Sequence, residues 1–340
     1  MGPFPAHIDY VTDDPEEVID AFSFVAETLA DPLNAALFAA GTVGALLAVV
    51  AGVWLRSRVM DFRVLAATLD SYRDLVPWML RLSIGLPTLG AGFAGYLFTP
   101  LVGTEFRIPL IAVGFLLLTG TATRAVALVG LVLWLAGAVL QPALLLALEY
   151  PFAFVAILLA GSGRPSGDGM LSRLASTPGT YYRQVDPVHR VAAGLSARVD
   201  GYEAFVPVAI RLGLGLSFVY LGVVEKLLNP GRAVLVVEKY DLTAVVPVDP
   251  GVWVVGAAAT EIGVGLLLLA GFLTRGTAAV AFVVLTTTLF GLPDDPVLAH
   301  VSLFGLTSAV FTLGAGPYSF DNLLDRRADE RTQPDAAPAD

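Results

Sequence analysis

The amino-acid sequence predicts an all-α membrane protein that contains an internal repeat. Hydrophobic residues make up 56% of the 340 residues and charged residues only 15%, which is far more apolar than a soluble domain of this length. The apolar residues lie in long segments, and two parts of the chain resemble each other. We therefore expect nine transmembrane helices: one N-terminal helix, then two tandem, parallel four-helix bundles.

The lengths of the apolar segments set the number of spans. A helix that crosses the hydrocarbon core needs about 20 mostly apolar residues. Nine segments meet or approach this length, and the third is the shortest. They are residues 33–55, 77–98, 108–120, 125–140, 143–160, 207–228, 252–272, 276–292 and 297–313.

The positions of the basic residues predict the orientation, because cytoplasmic loops hold an excess of Lys and Arg. With the N-terminus outside, only Arg107, Lys226, Arg232 and Lys239 of the 20 basic residues lie on the outer side. The sequence therefore predicts a multi-pass protein of the cell membrane with a cytoplasmic C-terminus. Residues 1–32 lack the basic and short apolar regions of a signal peptide, so the first span is expected to be retained.

The repeat is visible in an alignment without gaps of residues 65–100 on residues 195–230. Identical pairs include Asp70/Asp200, Tyr72/Tyr202, Pro77/Pro207, Arg81/Arg211, Gly85/Gly215, Gly92/Gly222 and Pro100/Pro230. A second block aligns residues 114–132 on 265–283 and contains Arg124 and Arg275. Each copy holds four spans, an even number, so both copies enter the membrane from the same side.

This repeat predicts five parts of the chain. They are an acidic tail with the first span (1–60), a degenerate first repeat (61–161), a cytoplasmic linker (162–186), a second repeat (187–322) and a disordered tail (323–340). Acidic ends of this kind fit a high-salt organism. An amphipathic stretch before each repeat predicts a helix on the inner membrane surface. The apolar positions of these stretches are Val59, Phe62, Leu65, Ala66 and Leu69, and then Val188, Val191, Ala192, Leu195 and Val199.

Ionisable groups within spans are the candidate catalytic residues, because burying them in a bilayer is costly. Glu261 lies in the middle of the seventh span, among small residues that let helices approach closely. It is a candidate proton carrier or hydrogen-bond donor; the alternative is a protonated acid bonded to a backbone carbonyl. His300, near the outer end of the ninth span, is either proton-active or an interfacial histidine.

Further polar residues lie in the outer halves of neighbouring spans of the second repeat. Tyr220, Glu225 and Lys226 belong to the sixth span and Thr287 to the eighth, and together they predict a pocket for a small molecule or a quinone. For Lys226 the alternative is a side chain that extends to the membrane interface.

The first repeat lacks this set of polar residues. Gly95 and Tyr96 replace Glu225 and Lys226, and Leu110 replaces Glu261. We therefore expect the first bundle to be structural, with Glu149, at the position of His300, as its one polar exception. Arg81, Arg211 and Arg275 are expected to anchor the helices at the inner membrane surface.

Several classes of site are excluded. The chain has no cysteine, so disulfides, iron–sulfur clusters and thiolate metal sites are absent. A haem held by two histidines is not expected, because His7 and His189 lie outside the spans. The Gly-rich motif at residues 90–95 lies within a span and is not a dinucleotide loop. Dispersed arginines give no support for nucleic-acid binding.

The second repeat resembles the DoxX/DoxD-like family of membrane proteins over about residues 205–322. The resemblance is carried by RLGLGLSFVYLGVVEK at 211–226, EIGVGLLLLAGFLTR at 261–275 and GAGPYSFD at 314–321. It implies a four-helix membrane bundle in which Arg211, Lys226, Glu261 and Arg275 are the recurring polar positions. Some members are subunits of thiosulfate:quinone oxidoreductase or partners of other redox systems.

The resemblance and the polar residues together predict a quinone-interacting membrane subunit of a redox system, with membrane lipid and a redox partner subunit as its partners. Two alternatives remain open. One is a non-catalytic scaffold or assembly factor for partner membrane proteins. The other is a proton-coupled transporter, which the parallel repeats favour but the lack of polar residues in the first half does not.

Overall fold

The computed structural model describes residues 20–185, 194 and 197–332, and within them the predicted all-α class is confirmed. The helices of the first half are α1 (Ala21–Ala30), α2 (Pro32–Arg58), α3 (Met60–Asp70), α4 (Val76–Ala94), α5 (Arg107–Thr119), α6 (Thr123–Leu140), α7 (Glu149–Ala160), α8 (Gly167–Ser176) and α9 (Tyr182–Val185). Those of the second half are α10 (Val206–Tyr220), α11 (Pro230–Lys239), α12 (Leu242–Val245), α13 (Pro250–Ala270), α14 (Thr274–Gly291), α15 (Val297–Leu313) and α16 (Phe320–Thr332).

Each of the nine predicted spans contains a helix. Among the described residues, five stretches of helix are long and apolar enough to cross a membrane, so the chain is a multi-pass membrane protein. They are Pro32–Arg56, Thr123–Leu140, Glu203–Leu227, Pro250–Ala270 and Thr274–Gly291. The helices of the other four predicted spans, α4, α5, α7 and α15, are shorter or less apolar. The total of nine spans therefore remains a prediction.

The first span begins at a well-capped helix. Asp31 precedes α2 and its carboxylate accepts hydrogen bonds from the backbone N–H groups of Leu33 at 2.8 Å and Asn34 at 3.1 Å. Pro32 occupies the first turn, where its missing N–H costs nothing. The acidic tail expected before this span is in part helical, because α1 occupies Ala21–Ala30. Residues 1–19 lie outside the described part of the chain.

The two halves differ at the ends that are predicted to face outside, called the outer ends below. Helix α4 stops at Gly95, whose φ of 86° favours glycine, so the predicted span 77–98 is too long. Strands β1 (Tyr96–Leu97) and β2 (Thr99–Gly103) follow as an antiparallel hairpin. At the equivalent point of the second half, α10 continues directly into a π-helix over Leu221–Leu227.

Aromatic side chains fill the outer end of the first half. The ring of Phe98, at the tip of the hairpin, lies 5.0 Å from that of Tyr150 and 5.9 Å from that of Phe154, measured between centroids. All three residues are buried. Close aromatic packing of this kind stabilises the hairpin against α7.

The fourth helix of each predicted repeat packs against the first helix of the other repeat about as extensively as against the third helix of its own repeat. Helix α15 lies along α4, and α7 lies along α10. Gly305 of α15 meets Ser83 of α4, and Gly213 of α10 meets Phe152 of α7, so small residues permit both close approaches. One continuous hydrophobic core runs through both halves as a result. The division into separate domains stays a prediction.

Similar contacts recur in both halves at the ends that are predicted to face the cytoplasm, called the inner ends below. Buried Arg81 donates a hydrogen bond to the carbonyl of Pro165, and buried Arg211 donates to the carbonyl of Pro317 at 3.3 Å. These carbonyls belong to the loops that follow α7 and α15. Arg81 therefore holds the loop after α7 against α4, and Arg211 holds the loop after α15 against α10.

Two aspartates close these loops in the same way. Asp168 accepts hydrogen bonds from the backbone N–H groups of Ala122 at 2.6 Å and Thr123 at 2.9 Å. Asp321 accepts from Leu273 at 2.9 Å and Thr274 at 2.8 Å. Each carboxylate lies at the N-terminus of a helix, where exposed N–H groups favour a negative charge.

The predicted cytoplasmic linker, residues 162–186, is not a simple loop. Ser166 caps α8 by accepting a hydrogen bond from the N–H of Gly169 at 3.2 Å, and α9 follows. The first amphipathic stretch forms α3, as predicted. The tail predicted to be disordered, residues 323–340, is helical in its first part, because α16 occupies Phe320–Thr332. Residues 188, 191, 192 and 195 of the second stretch and residues 333–340 of this tail lie outside the described residues.

Candidate functional site

A cavity of about 840 Å³ lies at the end of the second half that is predicted to face outside. Helices α2, α11, α13, α14 and α15, the π-helix and the outer end of the first half form its walls. Five predicted site residues line it: Glu225, Lys226, Glu261, Thr287 and His300. The wall is otherwise mainly apolar, and Leu37 and Phe38 of α2 are part of it. The cavity therefore combines an apolar body with a few polar groups.

The central polar feature is an ion pair between Lys226 and Glu261. The Nζ of Lys226 lies 2.8 Å from Oε1 and 2.7 Å from Oε2 of Glu261. The side chains are 24% and 10% exposed. The ammonium group of Lys226 therefore contacts Glu261, and Glu261 bonds to this ammonium group rather than to a backbone carbonyl. A pair this close and this buried is strongly charge-assisted.

Glycine packing positions this ion pair. An added Cβ on Gly222 would lie 2.8 Å from the carbonyl oxygen of Ala258 and 2.7 Å from Ile262, so only glycine allows this approach of the π-helix to α13. Lys226 lies about one helical turn beyond Gly222, and Glu261 about one turn beyond Ala258. The close approach at Gly222 therefore brings the ammonium and carboxylate groups together.

The π-helix itself contains both Glu225 and Lys226. π-helical turns are rare and are found frequently at functional sites, because the wider turn changes the direction of side chains. Glu225 is 2% exposed and lies on the cavity wall. Sequence periodicity gave no sign of this turn, since the segment has the composition of an ordinary apolar helix.

His300 lies beside a buried aspartate that the sequence reasoning missed. Its Nε2 is 3.4 Å from Oδ2 of Asp295, and its Nδ1 is 3.4 Å from the carbonyl oxygen of Pro296. Asp295 is 3% exposed, and this burial raises its pKa above the usual value, while His300 acts in the opposite direction. In the sequence, the available signal for this contact was that Asp295 lies five residues before His300, the only histidine in a predicted span.

Glu149 is the second residue that the sequence reasoning left out of the site. It begins α7 in the first half, is 4% exposed and lines the cavity. Its carboxyl group accepts hydrogen bonds from the hydroxyls of Ser302 at 2.9 Å and Ser217 at 3.3 Å, both in the second half. In the sequence, the alignment of Glu149 with His300 was the available signal that it belongs to a site. The packing of α7 against α10 then shows that Glu149 reaches the cavity of the second half.

Two predicted binding residues have weaker links to the cavity. Tyr220 is absent from its wall, and its buried hydroxyl has no hydrogen-bond partner within the described residues. Thr287 is on the wall, but its hydroxyl donates to the carbonyls of Val283 at 3.0 Å and Val284 at 2.9 Å in its own helix. Such a bond leaves the hydroxyl less able to donate to a ligand.

The three predicted arginine anchors lie at the other end of the molecule. Arg275 donates to the carbonyls of Phe311 at 3.1 Å and Thr312 at 3.0 Å, and pairs with Asp70 of the first half at 2.7 Å. Arg81 and Arg211 bind loop carbonyls, as described above. None of the three arginines lines the cavity.

The fold and the site together define a class: a multi-pass, all-α membrane protein with an ion pair in a mainly apolar cavity. The family model described as DoxX matches residues 206–294. This region is therefore a DoxX-like domain, as the sequence resemblance predicted, and it contains Lys226, Glu261 and Thr287. The first half and His300 lie outside the match. Neither the curated proteins nor the solved structures contain a match to this chain.

Proposed function

We propose that this chain is a quinone-binding membrane subunit of a redox system. The observation that carries the proposal is the mainly apolar cavity of about 840 Å³ with the Lys226–Glu261 pair and His300 on its wall. A quinone has an apolar ring and tail and two carbonyl oxygens that accept hydrogen bonds. Lys226 and His300 supply donors of the required kind.

The redox reaction has a simple balance. The quinone takes up two electrons and two protons and becomes a quinol. A redox partner subunit or a reduced substrate supplies the electrons, and groups on the cavity wall supply or relay the protons. The cation of Lys226 stabilises negative charge that develops on a carbonyl oxygen, which is the role of a preorganised donor in a water-poor site.

The position of α2 favours a ligand that arrives from the bilayer. This helix is apolar and exposed along its length, yet Leu37, Phe38, Gly41, Thr42 and Ala45 form part of the cavity wall. Added Cβ atoms at Gly41 and Gly44 would contact nothing, so the helix is loosely packed there. A lipid-soluble ligand reaches the cavity by passing beside α2.

The proposal includes the predicted topology and the predicted duplication. Nine spans, an external N-terminus and a cytoplasmic C-terminus place the cavity in the outer half of the membrane. The recurrent contacts at the inner ends support a duplication, as do two ion pairs between the halves. These pairs are Arg124–Asp200 at 2.9 Å and Arg275–Asp70 at 2.7 Å.

The test is mass spectrometry of the lipids and quinones that the detergent-purified protein retains. We expect a quinone in stoichiometric amount, and a loss of at least tenfold in its retention in Lys226→Met. Glu203→Gln, which removes an exposed carboxylate at the opposite end of the same half, is the control. A protein that holds no quinone, but copurifies with a stoichiometric membrane partner, would reject the proposal in favour of the scaffold alternative.

A further inference from the structure

The cavity in the second half receives one acid from the first half. Glu149 stands at the start of α7, and α7 packs against α10 across the boundary between the predicted repeats. Its two hydrogen-bond partners, Ser217 on α10 and Ser302 on α15, both belong to the second half. The cavity is therefore complete only when the halves are together.

Glu149 and Glu261 line the same cavity but have different surroundings. Glu261 forms an ion pair with the ammonium group of Lys226 at 2.7 Å. Glu149 has hydroxyl groups as its partners and forms no ion pair with any cation in the described part of the chain. Burying a carboxylate that has no cation beside it is costly, and this cost disfavours the ionised form of Glu149.

Two carboxyl groups with such different surroundings divide the roles of acid and base. We infer that Glu149 is the proton donor of the cavity, and that it donates to a carbonyl oxygen of the bound quinone. The inference rests on the proposed function and extends it by a residue from outside the DoxX-like region. The Lys226–Glu261 pair then orients the quinone, and Glu149 provides the transferable proton.

The quinone accepts two electrons from a redox partner subunit, one proton from Glu149, and a second proton from a water molecule, which becomes hydroxide. A new O–H bond forms on the quinone oxygen as the O–H bond of Glu149 breaks. The two serine hydroxyls hold the resulting carboxylate until another water molecule restores its proton and becomes hydroxide. The product is the quinol.

The other titratable groups near Glu149 are on several elements. Tyr150 follows it on α7 and is buried, while α10 and α15 present the hydroxyls of Ser217 and Ser302. Across the cavity are Glu225, Lys226, Glu261, Asp295 and His300. Of these, Lys226 contacts Glu261 and His300 contacts Asp295. Glu149 differs from both of these acids because its carboxyl group contacts two serine hydroxyls and no cation in the described part of the chain.

The experiment uses the full-length protein loaded with a short-chain ubiquinone and mixed rapidly with dithionite, which is oxidised to bisulfite as the quinone is reduced. Absorbance of the quinone gives the rate of a single reduction. A well-placed general acid contributes roughly 100-fold or more to such a rate. We expect Glu149→Gln to retain the quinone and to reduce it about 100-fold more slowly, and Glu149→Asp to be intermediate.

The matched control is Glu105→Gln, which removes an exposed carboxylate from the same half, outside the cavity, and is expected to leave the rate unchanged. A Glu149→Gln variant that binds quinone and reduces it within twofold of the wild-type rate would overturn the inference but not the proposed function. A wild-type protein that binds no ubiquinone would overturn both.

If Glu149→Gln does not fold, a measurement on the wild-type protein tests the inference instead. Infrared difference spectra with and without the quinone report the carbonyl stretch of protonated carboxylic acids. We expect this band to shift when quinone binds, because the acid then donates a hydrogen bond to the ligand. Quinone binding that leaves no change in the band would contradict the inference.

Discussion

At the level of single residues, the main contact in the cavity is the ion pair between Lys226 and Glu261, and the loss of stability depends on whether one member or both are removed. Lys226 and Glu261 neutralise each other, and removing one member leaves the other buried without a counter-charge. Because a lone buried charge is costly, removing both members should destabilise the protein less than removing one. At this scale the charge pair is a requirement of the site rather than a large net source of stability.

A double-mutant cycle tests this view. We expect Lys226→Met and Glu261→Leu each to lower the free energy of unfolding, and the double variant to recover part of the loss. The coupling should be about 1–3 kcal/mol, as found for residues in direct contact. Unfolding in detergent, followed by circular dichroism, measures all four proteins. Additive single effects would show that the ion pair contributes no coupling.

The elements around the cavity depend on close helix contacts and on one polar connection. The connection joins the end of α11 to the loop before α15: Asp294 accepts a hydrogen bond from the Tyr240 hydroxyl at 2.9 Å and pairs with Lys239 at 3.1 Å. Helix α11 lines the cavity with Ala233, Val236 and Val237. The connection therefore holds part of the cavity wall in place.

This connection should depend on pH. The Tyr240 hydroxyl and Lys239 hold the pKa of Asp294 below its usual value of 3.8. A lowered folded-state pKa adds stability above the unfolded value, and this stability is lost as the pH falls through the folded-state value. Asp294→Asn should therefore melt below the wild type at pH 7, and the difference should disappear in acid. Asp74→Asn, an exposed acid at the opposite end, should show no such trend.

The contact between the π-helix and α13 gives a prediction about glycine. Gly222→Ala places a Cβ against the Ala258 carbonyl, so the helices must separate and the Lys226–Glu261 distance must increase. We expect a loss of about 1–3 kcal/mol in stability, typical of overpacking, together with weaker quinone retention. Gly263→Ala is the matched control, because a Cβ there meets nothing within 4 Å. Equal behaviour of the two variants would refute the proposed role of Gly222.

At the scale of the whole molecule, the halves behave as one packing unit. The core is continuous, α4 packs on α15 and α7 on α10, and ion pairs connect the halves in both directions. The second-half cavity consequently includes residues of the hairpin and of α7. A change at the boundary between the halves is therefore expected to alter stability and site together.

The contact of Gly305 with Ser83 tests this union. A Cβ added to Gly305 would overlap the Ser83 hydroxyl, so Gly305→Ala should push α15 away from α4. The expected loss is about 1–3 kcal/mol. Ser83→Gly in the same chain removes the obstructing atoms and should restore most of the stability. Thermal unfolding in detergent compares the variants, and a failure of Ser83→Gly to rescue Gly305→Ala would count against a tight contact between the halves.

The sequence by itself determined the class of the protein and the approximate positions of its apolar helices, since apolar length and polar interruptions act locally along the chain. It also indicated five residues that line the cavity, because charged and polar groups stand out in apolar segments. They are Glu225, Lys226, Glu261, Thr287 and His300. The resemblance to DoxX-like proteins rested on the same local patterns.

Only the tertiary structure decided which of these residues meet. The pairing of Lys226 with Glu261 depends on the contact at Gly222, and the presence of Glu149 in the cavity depends on α7 packing against the other half. Tyr220 looked equivalent to its neighbours in sequence but lies off the cavity wall. Periodicity describes one helix at a time, whereas these outcomes depend on side-chain volumes and charges at contacts between helices distant in the chain.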